Sequence, residues 1–303
     1  MAKRPRLSLG RLLVLAAPYL YLAIFFLAPF ALIVKISLSK QALAIPPYTP
    51  VFEWMDGPRA WLAKAADLGF DAWRGLVADS IYVEAVATSL AIAAVSTLGA
   101  FLIGFPMALA IARSPARWRP ILLMLAIAPF WTSFLIRVYA WIMILKDEGL
   151  LNHALMALGL ISQPLELFAT RGAVVLGIVY SYLPFMILPL YAALEKQDAA
   201  LREAAADLGA TPWRVFASVT LPLARPGLVA GALLVFIPAV GEFVIPDLLG
   251  GSATLMIGRQ LWNEFFANRD WPTAAAVAIA LLALILGPLT LYERTRVAQE
   301  EPA

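Results

Sequence analysis

Apolar residues gather into six long runs, at roughly 12–35, 83–112, 120–145, 172–194, 226–249 and 271–292. About 20 consecutive apolar residues in helical form cross a hydrocarbon core, so each run is long enough to span a bilayer. The pattern predicts an all-α polytopic membrane protein with six transmembrane helices, forming a single transmembrane domain over residues 1–303. Two polar passages interrupt it. A long segment, 36–82, separates the first two runs, and a second, 195–225, separates the fourth from the fifth.

The second passage carries its own helix punctuation. Asp198 is placed to cap a short helix through Leu201 to Leu208, and Gly209 stands where a left-handed C-terminal residue is wanted. Thr211 and Pro212 then restart a helix as cap and first residue, and Pro222 is expected to stop it. Leu201, Ala204, Ala205 and Leu208 fall at i, i+3, i+4 and i+7, while Arg202 and Asp207 point elsewhere. Such a narrow apolar stripe, lined with small residues, suits docking of another protein. A plain interfacial helix on lipid headgroups would want a Lys-rich polar face, which this passage lacks.

Composition strengthens the membrane reading: 62% of the 303 residues are hydrophobic and 14% charged, and the mean hydropathy is positive. A soluble domain averages roughly 45 to 50% apolar and 25% charged residues. The chain contains no Cys and one His, which leaves no disulfide, thiolate site or imidazole cluster. His153 reads as an ordinary loop residue. Lys3, Arg4, Arg6 and Arg11 precede a first run too long for a signal peptide and without a convincing cleavage site, so that run is read as retained.

Lys and Arg set the orientation. The N-terminus, the link with Arg113, Arg117 and Arg119, the passage with Lys196, Arg202, Arg214 and Arg225, and the tail with Arg294 and Arg296 alternate onto one side. Both termini and the 195–225 passage are therefore expected in the cytoplasm. In the external 36–82 segment, Lys40, Arg59, Lys64 and Arg74 are outnumbered by Glu53, Asp56, Asp67, Asp71 and Asp79.

The spacing Glu203-Ala204-Ala205, three residues, Gly209, nine residues, Val219, one residue, Leu221-Pro222 resembles the cytoplasmic "EAA" loop of ABC-importer permease subunits. Ile45-Pro-Pro-Tyr-Thr, Pro129-Phe-Trp-Thr-Ser-Phe-Leu-Ile-Arg-Val-Tyr-Ala-Trp and Tyr182-Leu-Pro-Phe-Met are similar to stretches of the polyamine (spermidine/putrescine) uptake permeases. So are Phe236-Ile-Pro-Ala-Val-Gly-Glu-Phe-Val-Ile-Pro-Asp-Leu-Leu-Gly-Gly, Met256-Ile-Gly-Arg and Asn268-Arg-Asp-Trp-Pro. The likeness covers nearly the whole chain and looks closest to the putrescine-uptake permease that pairs with a second, different permease.

That resemblance implies a type I ABC importer permease fold in the bacterial inner membrane. Glu203, Ala204, Ala205, Asp207, Gly209, Leu221 and Pro222 would then form cytoplasmic coupling helices. It also implies partners: two ATPase subunits at the cytoplasmic face, a second homologous permease, a periplasmic polyamine-binding protein and the lipid bilayer, with no nucleic acid. The sequence holds no Gly-Lys pair, hence no phosphate-cradling loop with its lysine. The chain itself is therefore expected to be non-catalytic and to bind no cofactor, with ATP and Mg on the partner ATPase.

An ionised carboxylate at membrane depth costs about 2.5 to 3.5 kcal/mol on insertion scales, so it faces a partner or an aqueous path. Glu242 follows Gly241 and lies between Pro238 and Pro246, where broken backbone bonding favours a cavity lining. Two roles are open to it: contact with a cationic amine on the substrate path, or structural pairing with Arg137, the one basic residue deep in a run. Asp247 lies nearer the outer end, where it is also placed to be simply solvated. Trp131, Tyr139, Trp141, Tyr180 and Tyr182 offer aromatic faces to an amine, or equally serve as interfacial anchors and packing. A stand-alone secondary transporter would show an inverted repeat, and an embedded enzyme a nucleophile with its base; the sequence displays neither. Another importer of the same class, carrying a different small amine-bearing or cationic solute, fits the same residues.

Overall fold

The computed structural model describes residues 9–53, 55–252 and 254–300, except the side chains of 9–13, 288–289 and 291–300. Lys3, Arg4 and Arg6, and the side chains of Arg11, Arg294 and Arg296, on which the terminal part of the orientation rests, lie outside the described residues. In chain order the protein forms helix α1 (Leu9–Leu22, prolonged through a π-helical turn at Ala23–Leu27 and through Ala28–Ser37) and strands β1 (Lys40–Gln41) and β2 (Tyr48–Thr49). Helices α2 (Pro58–Ala66), α3 (Asp71–Ala78), α4 (Ser80–Arg113), α5 (Arg119–Ile127), α6 (Phe134–Leu145) and α7 (Leu150–Ala157) follow. The remainder is α8 (Arg171–Glu195), α9 (Ala199–Asp207), α10 (Pro212–Val240), α11 (Val244–Leu249), α12 (Ile257–Trp262) and α13 (Trp271–Glu300).

Among the described residues, four helices are long and apolar enough to cross a membrane: Val14–Ser37, Ser80–Arg113, Arg171–Glu195 and Pro212–Val240. The third apolar run is not one straight helix. Arg119–Trp131 and Phe134–Ala157 meet at 86°, and counting the pair as one span gives five. The fifth run also departs from expectation, because its helix ends at Val240 and restarts as the short α11. In α13 the described apolar part, Trp271–Gly287, is shorter than a span. His153 is exposed within α7 and not in a loop.

The chain divides into two compact units, residues 1–80 with 261–303, and residues 81–260. In the first, α13 packs on the second half of α1 and on α3. The strands pair antiparallel, Lys40 with Thr49 and Gln41 with Tyr48. Lys35, near the end of α1, donates to the Pro50 carbonyl and lies 4.2 Å from the Tyr48 ring and 5.2 Å from that of Phe52. Tyr48 in turn meets Trp271 at 6.0 Å, which carries the hairpin onto α13. The segment before α4 thus carries the two short strands found among the described residues. Within it, a hydrogen bond from Lys64 holds the Asp56 carboxyl below the usual carboxylate range.

The second unit is organised by α8 against α10. Gly227 and Gly231 on α10 lie one turn apart, a spacing that lets two helix backbones approach. A Cβ at Gly227 would fall 2.5 Å from the Pro189 carbonyl oxygen and 2.6 Å from Ala193 Cβ; one at Gly231 would fall 2.8 Å from Met186 Sδ. Around this contact Met186, Ile187, Leu190, Ala224 and Val235 are buried, and α4 joins them through Ala100, Phe105, Ala108 and Ile111. On the outside of α4 and α10, Val95, Leu98, Leu102 and Leu234 are exposed. An apolar exterior around an apolar interior is what a hydrocarbon solvent allows.

We predict that Gly227→Val lowers the thermal inactivation midpoint of the purified protein, because overpacking of a close contact costs about 1 to 3 kcal/mol. Val229→Ala, a truncation away from the glycine contact, is the control. An unchanged midpoint for Gly227→Val would show that the two backbones are not held at this distance.

Candidate substrate path and coupling segment

Two helix breaks shape the site in the second unit. At the first, Ala128–Trp131 forms a 3-10 turn, Thr132 is extended with φ −92° and ψ 151°, and α6 begins after Ser133. The Thr132 hydroxyl donates to the Pro129 carbonyl at 2.8 Å, closing the turn locally. At the second, Gly241, Glu242 and Phe243 separate α10 from α11. A carboxylate is the residue chemistry this break requires. Glu242 Oε1 accepts from the backbone N–H of Phe243, Val244 and Ile245 at 3.1, 3.0 and 3.5 Å. These are amides that begin a helix and have no partner within it. Glu242 Oε2 accepts the Tyr182 hydroxyl at 2.5 Å, and Glu242 is 7% exposed.

Glycine makes the break possible from the other side. A Cβ on Gly258 of α12 would fall 2.3 Å from the Gly241 carbonyl oxygen and 2.7 Å from that of Glu242, so only glycine fits there. Next to it, the Ile257 N–H donates to the buried Ser89 hydroxyl of α4 at 2.8 Å. The sequence reading assigned no role to Gly258 or Ser89. The Met256-Ile-Gly-Arg motif was the available signal for Gly258, and nothing local marked Ser89.

Of the residues expected on the path, the structure joins Glu242 and Tyr182 directly. Tyr182 continues to Phe185 at 6.0 Å between ring centroids, and Phe185 to Phe130 at 5.2 Å, edge to face. Trp141 meets Tyr180 at 5.5 Å as a separate pair. Trp131 and Tyr139 are 74% and 55% exposed and take no part in the Glu242 cluster. Asp247 is half exposed and lies 3.1 Å from Arg259 Nε, and Arg259 Nη1 donates to the Gly251 carbonyl at 2.6 Å.

The alternative pairing of Glu242 with Arg137 is not formed. Both Glu242 oxygens are taken by Tyr182 and the α11 amides, whereas Arg137 stacks its guanidinium over Phe130 at 5.0 Å and Phe134 at 5.8 Å. Its Nε and Nη1 are buried without a hydrogen-bond partner.

The 195–225 passage forms the two-helix element its punctuation predicts, with one correction. Asp198 Oδ1 accepts from Ala200 N at 3.0 Å, Gly209 has φ +81°, and Thr211 Oγ1 accepts from Arg214 N at 3.4 Å. Leu201 and Leu208 of the apolar stripe are 50% and 89% exposed, and Trp213 is 73% exposed. Glu203, Ala204 and Asp207 are exposed and Ala205 half-buried. Pro222, however, does not stop the second helix. A π-helical turn at Phe216–Thr220 shifts the register before the proline, so Pro212–Val240 runs on as one helix with Leu221 half-buried and Pro222 exposed. Gln197 Nε2 donates to the Thr220 carbonyl at 3.0 Å, closing the passage on itself, and Phe216 meets Phe105 of α4 at 5.5 Å.

Residues 100–292 match the family described as binding-protein-dependent transport system inner membrane component. The spermidine/putrescine transport system permease protein PotB of Haemophilus influenzae is 44% identical over 214 residues, covering 71% of this chain and 75% of that protein. PotB of Escherichia coli K12 is 43% identical over 216 residues, covering 71% and 78%. In structure, a chain of a bacterial alginate ABC transporter, solved with its pentasaccharide-bound periplasmic protein, superposes with a TM-score of 0.67 at 18% identity, over 95% of this chain and 96% of that one. The chain belongs to the binding-protein-dependent transport system inner membrane components, the permeases of ABC importers, and it has their fold.

We predict that Tyr182→Phe destabilises the second unit, since a hydrogen bond to a charged group contributes about 1.5 to 3 kcal/mol. Thermal inactivation of the purified protein reads this. A midpoint equal to that of the parent would mean that the α11 amides alone hold Glu242.

Proposed function

We propose that this chain is the membrane-spanning subunit of an ATP-driven importer that moves putrescine, spermidine or both from the periplasm into the cytoplasm by alternating access. The observation that carries this reading is the 44% identity to a spermidine/putrescine permease over 71% of the chain. On this reading an arriving amine takes the place of the Tyr182 hydroxyl on the buried Glu242 carboxylate. Glu242 and Tyr182 are the proposed path residues of the inner cluster, with Trp141, Asp247, Trp131 and Tyr139 outside it.

On this reading α9 and the start of α10 are coupling helices seated in a separate ATPase pair, which supplies ATP and Mg chemistry. Their exposed Leu201, Leu208 and Trp213 support that role. A second permease completes the core and a periplasmic binding protein delivers the amine. Six crossings, counting the bent pair and α13 as one each, leave both termini in the cytoplasm.

Proteoliposomes holding this chain with its ATPase, partner permease and binding protein are expected to take up labelled putrescine or spermidine only with ATP and the binding protein. Uptake by this chain alone, without ATP, would overturn the importer mechanism; ATP hydrolysis with no movement of either amine would overturn the substrate. Glu242→Gln is expected to reduce amine uptake while the ATPase stays assembled, and an unaltered rate across a substrate titration would remove Glu242 from the path. Glu203→Arg and Gly209→Val are expected to leave the protein inserted but unable to retain the ATPase. A valine at φ +81° costs roughly 1 to 2 kcal/mol in the left-handed region. Co-purification of the ATPase at parental yield with either variant would count against the coupling assignment.

A further inference from the structure

Arg137 is a charge in an unusual position. It is 9% exposed on α6, within the bent pair of apolar helices, and two of its guanidinium nitrogens are buried with no hydrogen-bond partner. A basic side chain at membrane depth ordinarily pairs with a carboxylate or snorkels to water. This one has no carboxylate among the described residues, for no acidic side chain lies within ion-pair distance of it. What receives it is aromatic: the Phe130 ring at 5.0 Å and the Phe134 ring at 5.8 Å, on the two sides of the helix break. Guanidinium is weakly hydrated and stacks on rings, so it tolerates such a site better than an ammonium that keeps its water.

The same rings lead to the buried carboxylate. Phe130 meets Phe185, Phe185 meets Tyr182, and Tyr182 donates to Glu242, an unbroken series from the cation to the anion. Next to Phe130 the backbone is non-helical at Thr132 and Ser133, and both residues are exposed. Open backbone at membrane depth is tolerated where it lines a water-filled cavity or is covered by protein.

We propose that the Arg137 guanidinium is a tethered stand-in for the substrate's ammonium. It rests on the Phe130 and Phe134 faces that a polyamine ammonium occupies in passage, and it leaves them when the amine arrives. The inference rests on the polyamine reading above. While Arg137 is seated, a second cation meets a like charge in a site of low dielectric, so the path is shut to small cations between transport cycles. An arriving amine brings the same charge and the same affinity for rings, and the exchange leaves the charge of the site unchanged.

The chain has no Cys, so Arg137→Cys gives it a single thiol. In proteoliposomes holding the full transporter under ATP turnover, this thiol is treated with the cationic reagent 2-(trimethylammonium)ethyl methanethiosulfonate, and the mass gain of this chain is followed. The expected result is modification that saturating putrescine or spermidine slows several-fold, and a preference for the cationic reagent over neutral methyl methanethiosulfonate relative to their reactivities with a free thiol. Absence of modification, or a rate indifferent to both amines, overturns the proposal if the parent transporter moves amine in the same assay. If the parent moves no amine, the polyamine reading has failed and this inference fails with it. Should Arg137→Cys not assemble, Phe130→Cys keeps the arginine, and the seated guanidinium is then expected to disfavour the cationic reagent relative to the neutral one. Saturating amine is still expected to slow modification several-fold, and a rate indifferent to amine overturns the proposal.

Discussion

The approach of the α10 backbone to α8 at Gly227 and Gly231 is the contact on which the rest of the second unit depends. Hydrocarbon gives helices no hydrophobic reason to associate, so close packing and buried polar contacts hold them together. Gly227 against Pro189 and Ala193 sets the first, and Tyr182 on Glu242 the second. They are made by the same two helices, Tyr182 lying one turn before Met186 and Glu242 just beyond the end of α10. Glycine at 227 and 231 therefore positions a carboxylate several turns away.

That carboxylate shows how a buried charge is kept among apolar helices. Glu242 is satisfied by four donors from its own chain, three of them amides freed by the helix break it creates. The charge and the broken backbone each supply what the other lacks. Arg137 is the contrasting case, a cation on ring faces with two nitrogens unpartnered. One charge is firmly held and the other loosely, with a series of aromatic rings between them.

The sequence made much of this legible. Short-range chemistry was readable wherever a residue acts on its own neighbours: the Asp198 and Thr211 caps and the left-handed Gly209 stand as their residue types require. Apolar length located four spans, yet it is blind to a bend, which is why 120–145 read as one crossing and the structure turns it by 86°. Pro222 read as a stop because a π-helical turn, which removes the need for its missing N–H, leaves no mark in a hydrophobic pattern. Within the site, Glu242 stood out by its cost. Its partner was not legible, since Tyr182 is 60 residues away and was one of five aromatic candidates. Arg137 was the more obvious mate by charge, but the amides of α11 and the tyrosine satisfy the carboxylate first.

The π-helical turn has a mechanical consequence. Because it joins the Pro212 end to the span without interruption, the helix is 29 residues long, or about 43 Å at 1.5 Å per residue. A tilt of about 5° around its middle carries each end by about 2 Å in opposite directions, by the same geometry. Trp213 stands at one end and the Glu242 hinge just past the other. A displacement of that size turns a 2.5 Å hydrogen bond into a broken one. The Tyr182–Glu242 contact thus sits where a small tilt of this helix would be felt most.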